Sequence, residues 1–195
     1  MVADSIPIFP LKTVLFPDGL LPLRIFEARY LDMASQCMRA GTAFGVCLIV
    51  RGEEVGSPAE PAAVGCLARI REWDMAQFGV LNLLTQGQQR FRLISCQSEQ
   101  NGLLRGEIEV IEPDPLYPVS STDTLCVRVL RSLLGELDER LVARPHRYDD
   151  GVWVGNRLAE LLPLPLPMKQ ELMELNDSGK RLDLLREALE KASAA

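Results

Sequence analysis

The apolar residues of this chain change their spacing once, across Glu112–Pro118 (EPDPLYP), and that change limits the fold more than any other feature. Before it, apolar residues stand in short runs or at every second position, the period of strands. After it they recur at every third and fourth position, the period of helices. The three prolines of the segment read as a linker. The sequence therefore predicts a β-rich subdomain over 1–112, a linker over 113–118 and a helical subdomain over 119–195. A length of 195 residues suits one large or two small domains of this kind.

The β-rich part opens with Pro-punctuated runs, IPIF at 6–9, TVLF at 13–16 and LLPLRIF at 20–26. Proline removes a ladder donor and extends its predecessor, so these read as short or edge strands. Asp18-Gly19 supplies a tight turn between them. Tyr30, Met33, Ala34, Cys37 and Met38 then mark one face of a helix over about 27–40, with Glu27 at its positive end and Gly41 at its C-terminal stop. FGVCLIV at 44–50 reads as a buried central strand, and a Gly-, Pro- and Glu-rich loop follows. Residues 63–73 predict a strand with Cys66, Ala68 and Ile70 on one face and a hairpin tip over 74–79. Two further strands, 80–85 and 89–97, are joined by Gln86-Gly87-Gln88. Asn101-Gly102 signals another hairpin, and 103–111 alternates with Leu104, Ile108 and Val110 inward. Closely spaced strands with tight turns predict an antiparallel, partly closed β-barrel with one embedded helix, in the α+β class.

Beyond the linker, Cys126, Val129, Leu130, Leu133, Leu134, Leu137 and Leu141 trace a helical stripe over about 123–141, with Ser121, Thr122 or Asp123 as its cap. Residues 152–162 form a second helix ended by Pro163 and Pro165. A short helix over 168–175 starts behind Pro167, and a last one is capped by Asp177 or Ser178. This is a bundle of about four helices.

Nothing in the sequence assembles a catalytic or metal centre. The chain has one histidine, His146, in a charged loop that reads as solvated, and no short-spaced cysteine pair, so no cofactor or zinc site is expected. Nucleotide-cradling glycine loops and hydrolase motifs are missing. Glu53-Glu54 and Asp149-Asp150 read as solvated acidic pairs. The net charge of −6 is spread evenly, −3 on residues 1–112 and −3 on 113–195, which argues against nucleic acid as a partner. No apolar run reaches the ~18 residues that a membrane helix needs, and no leader is evident at the start, so a cytoplasmic protein is expected. Five cysteines at wide spacing read as reduced, buried thiols.

Two sets of apolar residues exceed what the elements around them need. Trp73, Met75 and Phe78 crowd a hairpin tip, where polar residues are usual. They form either a contact surface or a tip folded onto the helical part. Phe16, Leu20, Leu21, Leu23 and Phe26 crowd the Pro-broken opening, where they either line a groove or fill the barrel core.

The opening block IPIFPLKTVLFPDGLLPLRIFEARYLDM, with P-L-x-x-x-x-F-P at Pro10–Pro17 and a further P-L at Pro22-Leu23, resembles the start of the Lon N-terminal domain. G-C-L-A-R-I at Gly65–Ile70, G-Q-Q-R-F-R at Gly87–Arg92 and W-x-x-x-x-L-A-E-L-L-P-L at Trp153–Leu164 match the same family in the same order. The resemblance covers about 5–190. It implies a PUA-like β-barrel followed by a helical bundle, and the role of a substrate-recognition module without the ATPase or Ser–Lys protease of Lon. The implied partners are unfolded or partly folded polypeptides and a protease machine, with Phe16–Phe26 and the 73–78 tip as contact residues. Two other readings stay open, an RNA-binding PUA-like protein and an enzyme with an unrecognised site.

Overall fold

The structure is a computed structural model, and it describes residues 5–138 and 142–193. The chain divides into two compact units, Met1–Glu112 and Pro113–Ala195.

The first unit runs β1 (Ser5–Leu11), β2 (Leu20–Ile25), α1 (Ala28–Ala40), β3 (Phe44–Arg51), β4 (Glu60–Gln77), β5 (Val80–Ser98) and β6 (Leu104–Val110). The sheet order is β2-β5-β4-β3-β1-β6, and β6 pairs back onto β5. Strands β5, β4, β3, β1 and β6 thus form a closed ring, with β2 hung on the outside of β5. The pairings are antiparallel except β1–β3, which is parallel. A parallel pair needs a long crossover, and here β2 and α1 supply it.

Two strand expectations are corrected. The strands predicted at 80–85 and 89–97 are one 19-residue strand, β5. Gly87 makes no turn: Asp18 N–H donates to Gly87 O (2.9 Å) and Gly87 N–H donates to Gly19 O (2.8 Å). A Cβ on Gly87 would collide with the Phe16 carbonyl, so glycine is needed for the close approach of two backbones. Residues 13–16 form no strand, because β2 already occupies the β5 edge that they would need. Their side chains still serve the core, with Val14, Leu15 and Phe16 buried. The 74–79 tip is also tighter than expected. Gln77 pairs with Val80, so only Phe78 and Gly79 turn, with Gly79 at φ +78°. On β6, Val110 is exposed rather than inward.

The ring is filled from β5. Phe91 is fully buried in a cluster with Ile8, Cys47, Leu104 and Ile108. Its ring tip occupies the space above two glycines of neighbouring strands: a Cβ on Gly45 would stand 2.7 Å from Phe91 Cζ, and one on Gly65 2.6 Å. Outside the ring, α1 buries Arg29, Tyr30, Met33, Ala34 and Cys37 and stops at Gly41, where φ is +66°.

The second unit holds α2 (Thr124–Glu136), α3 (Gly151–Leu161), α4 (Leu166–Glu174) and α5 (Ser178–Ser193). Its first helix has Asp123 as N-cap residue, one of the three expected, but the Asp123 side chain makes no capping hydrogen bond to α2. A 3-10 turn, Ser121–Asp123, precedes α2, and Asp123 reaches back to accept from Ser120 N–H (2.8 Å) and Ser120 Oγ (2.7 Å). Helix α2 ends at Glu136, and Leu141 of the expected stripe lies outside the described residues. Asp150 caps α3 by accepting from Val152 N–H and Trp153 N–H. Asp177 accepts from Lys180 N–H (3.0 Å) at the start of α5. Helix α4 starts at Leu166, which puts Pro167 second rather than first.

Arg181 of α5 holds this unit together. It is 1% exposed. Nε donates to Leu172 O (2.9 Å) and Nη2 to Leu175 O (2.5 Å), satisfying carbonyls at the end of α4. Nη1 donates to Asp114 Oδ2 (2.7 Å) of the linker, and Ser178 Oγ donates to the same oxygen (3.0 Å).

Three substitutions test this packing. Gly65→Ala sets a Cβ 2.5 Å from the Val46 carbonyl, which cannot swing aside, and is expected to cost about 2–3 kcal/mol. Gly135→Ala, with open space around its Cβ, is expected to gain about 0.5 kcal/mol. In the helical unit, Asp114→Ala leaves the buried Arg181 charge uncompensated and is expected to cost about 3–5 kcal/mol. Urea unfolding followed by circular dichroism measures all three. A Gly65→Ala midpoint equal to wild type would refute the packing account of Phe91.

Candidate functional site

On β2 the alternation is clean. Leu21, Leu23 and Ile25 turn inward, while Pro22 and Arg24 stand exposed. Between the inward face of β2 and the start of α1 lies an open groove of about 340 Å³. Its apolar walls include Phe9 and Leu11 of β1, Leu21, Leu23 and Ile25 of β2, Phe26, and Tyr30 of α1. Phe9 and Tyr30 stack with ring centroids 4.1 Å apart and form a rigid aromatic wall. The β3–β4 loop adds Glu54 and Val55. Glu54 is placed by accepting a hydrogen bond from Lys12 N–H (2.5 Å), and Lys12 Nζ pairs with Glu53.

Arg29 lies behind the aromatic wall, with its Cζ 4.6 Å from the Tyr30 ring centroid. Its Nη1 donates to Gly102 O (2.9 Å), and its Nη2 pairs with Glu27 Oε2 (2.9 Å). Burial pushes the Tyr30 phenol above its usual range. Glu27 and Glu54 add to the rise and Arg29 opposes it. The hydroxyl therefore stays protonated and able to donate.

Of the residues singled out in the opening stretch, Leu21, Leu23 and Phe26 line the groove. Leu20 is half-buried and outside its lining. Phe16 is fully buried, so it is core and offers no contact surface. At the hairpin tip Trp73, Met75 and Phe78 are 62%, 51% and 99% exposed. Strand register ties the two sets together. Leu23 opposes Leu83, and Leu83 opposes Trp73. Directly opposed residues share a face, so one apolar row runs from the groove strand across β5 to the tip.

Sequence reasoning missed Phe9, Leu11, Tyr30, Glu54 and Val55. Tyr30 reads as helix core, which it also is. Glu54 and Val55 read as solvated loop, and only the long-range bond to Lys12 brings them to the groove. His146 is also corrected. It is half-buried, stacked on Trp153 (centroids 5.8 Å) and edge-on to Tyr148 (5.7 Å), rather than solvated. Arg131 covers the other ring of this set, 3.9 Å from the Tyr148 centroid. Among the described residues, no three His, Cys, Asp or Glu side chains group as a metal site, and no helix is long and apolar enough to cross a membrane.

A closed ring of strands with one embedded helix, followed by a helical unit, is a PUA-like domain with a C-terminal helical extension. The family model of the ATP-dependent protease La (LON) substrate-binding domain matches residues 5–191, and the chain belongs to that family. Among solved structures, the Lon N-terminal domain protein from Xanthomonas campestris is 38% identical, with a TM-score of 0.79 over 94% of this chain and 98% of that one. The N-terminal domain of Mycobacterium avium complex Lon protease shares the fold at a TM-score of 0.62 and 19% identity, over 94% and 97%. Lon protease of Anaeromyxobacter dehalogenans is 26% identical over 95% of this chain and 23% of its own length. For Escherichia coli Lon protease the values are 24%, 95% and 24%. The chain thus spans about a quarter of the length of the curated relatives it matches.

The five thiols are free, four buried and Cys96 half-buried. Burial raises the Cys37, Cys47 and Cys96 thiols, and it pushes Cys126 up to about 11 from an ordinary value near 9. Thiolate chemistry at neutral pH is therefore suppressed in the folded state. The linkage has a definite sign. Below pH 9 both folded and unfolded chains keep the Cys126 proton, and its contribution is full. Between about 9 and 11 only the unfolded chain loses it, so stability falls as pH rises. Urea midpoints measured from pH 7 to 11 are expected to drop above pH 9, and less steeply in Cys126→Ala. Iodoacetamide at pH 8 is expected to label the native chain slowly and the unfolded chain at all five cysteines. Fast native labelling of Cys126 would contradict the burial account.

Proposed function

We propose that this chain is a non-catalytic polypeptide-binding module, and that the groove between β2 and α1 takes apolar side chains of unfolded or partly folded segments. The observation that carries the reading is the groove itself. It is open to solvent, walled by the Phe9–Tyr30 stack and the inward residues of β2, in a family described as substrate-binding. The Leu23–Leu83–Trp73 row joins the groove strand to the tip through the buried Leu83, and at the tip Trp73, Met75 and Phe78 supply a separate exposed apolar area. The free thiols suit a reducing compartment, and a protease machine is the fitting downstream partner.

The chemistry bounds the affinity. Each apolar side chain taken from water contributes about 1.5–3 kcal/mol. Ordering a flexible segment and losing its free motion offset much of that. Two or three seated side chains, about 3–9 kcal/mol before those costs, then leave weak binding, of about 4–5 kcal/mol, with dissociation constants from about a millimolar to the high micromolar range. Weak, fast-exchanging contact of this kind suits the sampling of many unfolded chains.

Binding of a reduced, permanently unfolded protein, followed by fluorescence anisotropy, tests the reading. Leu21→Asp is expected to weaken it about ten-fold or more. Phe26→Ser, at an exposed position that folding does not need, is expected to weaken it by about three-fold. Trp73→Ser and Phe78→Ser report the share of the tip. Unchanged binding in both Leu21→Asp and Phe26→Ser, with wild-type unfolding curves, would remove the groove from the account.

A further inference from the structure

Tyr30 is 4% exposed, yet its hydroxyl has no partner in the protein. The ring stacks on Phe9 and carries the Arg29 guanidinium over it, with Cζ 4.6 Å from the centroid. These contacts hold the ring, and with it the direction in which the hydroxyl points. Among the described residues, no backbone or side-chain group hydrogen-bonds that hydroxyl. Its oxygen is nevertheless open to solvent, since it is not one of the wholly buried unpaired atoms. Buried tyrosines usually find a partner for this group.

The side on which the hydroxyl opens is the groove. Tyr30 lines the groove between β2 and α1 and does not line the neighbouring cavity at Gly102. Glu27 and Glu54 line the same groove, and both stand near enough to the phenol to act on its proton. A nearly buried aromatic side chain thus ends in an unpartnered hydroxyl aimed into an apolar space. In such pockets a few placed polar groups fix how a ligand lies.

We propose that the Tyr30 hydroxyl is the polar anchor of the groove, donating to a main-chain carbonyl of the bound polypeptide beside a seated apolar side chain. This rests on the groove reading above and adds what the groove recognises besides apolar surface. Desolvation sets the requirement. An apolar side chain that fills the groove displaces the water at the hydroxyl, and a covered donor without an acceptor costs free energy. The ligand must therefore bring an acceptor. Charge selects a neutral one. Arg29 offsets Glu27, and Lys12 Nζ is taken by Glu53. Glu54 then leaves negative charge in excess beside the hydroxyl, while Arg24 stands exposed on the outward side of β2. A carboxylate or phosphate is disfavoured there. The neutral acceptor that accompanies every apolar side chain is its own main-chain carbonyl. One such bond orients a segment without demanding any particular sequence.

Tyr30→Phe tests this, because it removes the oxygen and keeps the stacked ring. The probe is a capped peptide of leucine, serine and glycine with no charged side chain, titrated into the protein and followed by NMR. Tyr30→Phe is expected to weaken binding about three- to ten-fold and to leave the urea midpoint at the wild-type value, since no protein hydrogen bond is lost. Replacing the peptide bonds of the probe by trans-alkenes, one at a time, locates the acceptor. One position is expected to cost about three- to ten-fold with the wild type and nothing with Tyr30→Phe. Unchanged binding by Tyr30→Phe overturns this inference and leaves the groove reading standing. A lowered urea midpoint in Tyr30→Phe overturns it in favour of a structural role. Equal alkene losses in the two proteins overturn it too. A loss confined to a second probe that carries lysine overturns it in favour of an ammonium ligand. No binding of either probe to the wild type overturns both readings.

Discussion

Phe91 sits where strand pairing must close on itself, and closure is possible because Gly45 and Gly65 have no side chains. The ring needs a large apolar group in a narrow space, with backbone on two sides of it. Alanine at either glycine would add atoms where the density of a protein interior leaves no room. Once closed, the ring fixes the course of β5. Its second half pairs with β6 and completes the ring. Its first half runs on past the ring and carries β2 on its free edge. The groove exists because β2 is placed there, outside the ring, with its apolar residues facing the start of α1. A packing constraint in the core thus determines where an open apolar surface can stand.

The same logic explains which parts of the fold were legible in the sequence. The switch from strands to helices, α1 with its Gly41 stop, and the alternation of β6 up to Ile108 all follow from local period and end signals. The errors fall where long-range contacts override local signals. Gln86-Gly87-Gln88 looks like a turn because glycine usually serves backbone freedom. Here it serves the approach of the Phe16 carbonyl, 71 positions away in sequence (87 − 16). TVLF at 13–16 has the composition of a strand and the burial of one, but no free edge to pair with. The site shows the same division. Leu21, Leu23 and Phe26 could be suspected from an excess of apolar residues near prolines. Val55 and Glu54 could not, since a bond to Lys12 across 42 positions brings them in. Nothing in the local pattern near Arg29 announces a buried guanidinium either.

In the helical unit, a polar group takes the organising role that Phe91 has in the ring. Arg181 satisfies carbonyls of α4 and meets the carboxylate of Asp114, so the linker is held by charge and hydrogen bonds. Gly155 of α3 lies against its stem: a Cβ there would come 3.3 Å from Arg181 Cδ. A buried pair of this sort adds little net stability over an apolar replacement of the same shape. Its value is directional. A guanidinium fork accepts few arrangements of its partners, and so it specifies how α4, α5 and the linker meet. The residues that match the family model, 5–191, span this arrangement as well as the ring.

An apolar groove beside an edge strand invites a second problem, the addition of further strands. Pro22 addresses it. It opposes Leu84 in the β2–β5 ladder, and without an N–H it fits only where its nitrogen points away from β5. The outer edge of β2 therefore lacks a donor at its centre, and the exposed Arg24 next along the strand adds a charge there. Both features disfavour a ladder on that edge while leaving the inward face of β2 untouched. On the proposed reading, a polypeptide would be held through side chains that enter the groove and not through backbone pairing along β2. That mode suits a site that must accept unfolded segments of varied sequence and release them, because no ladder of hydrogen bonds builds up with length.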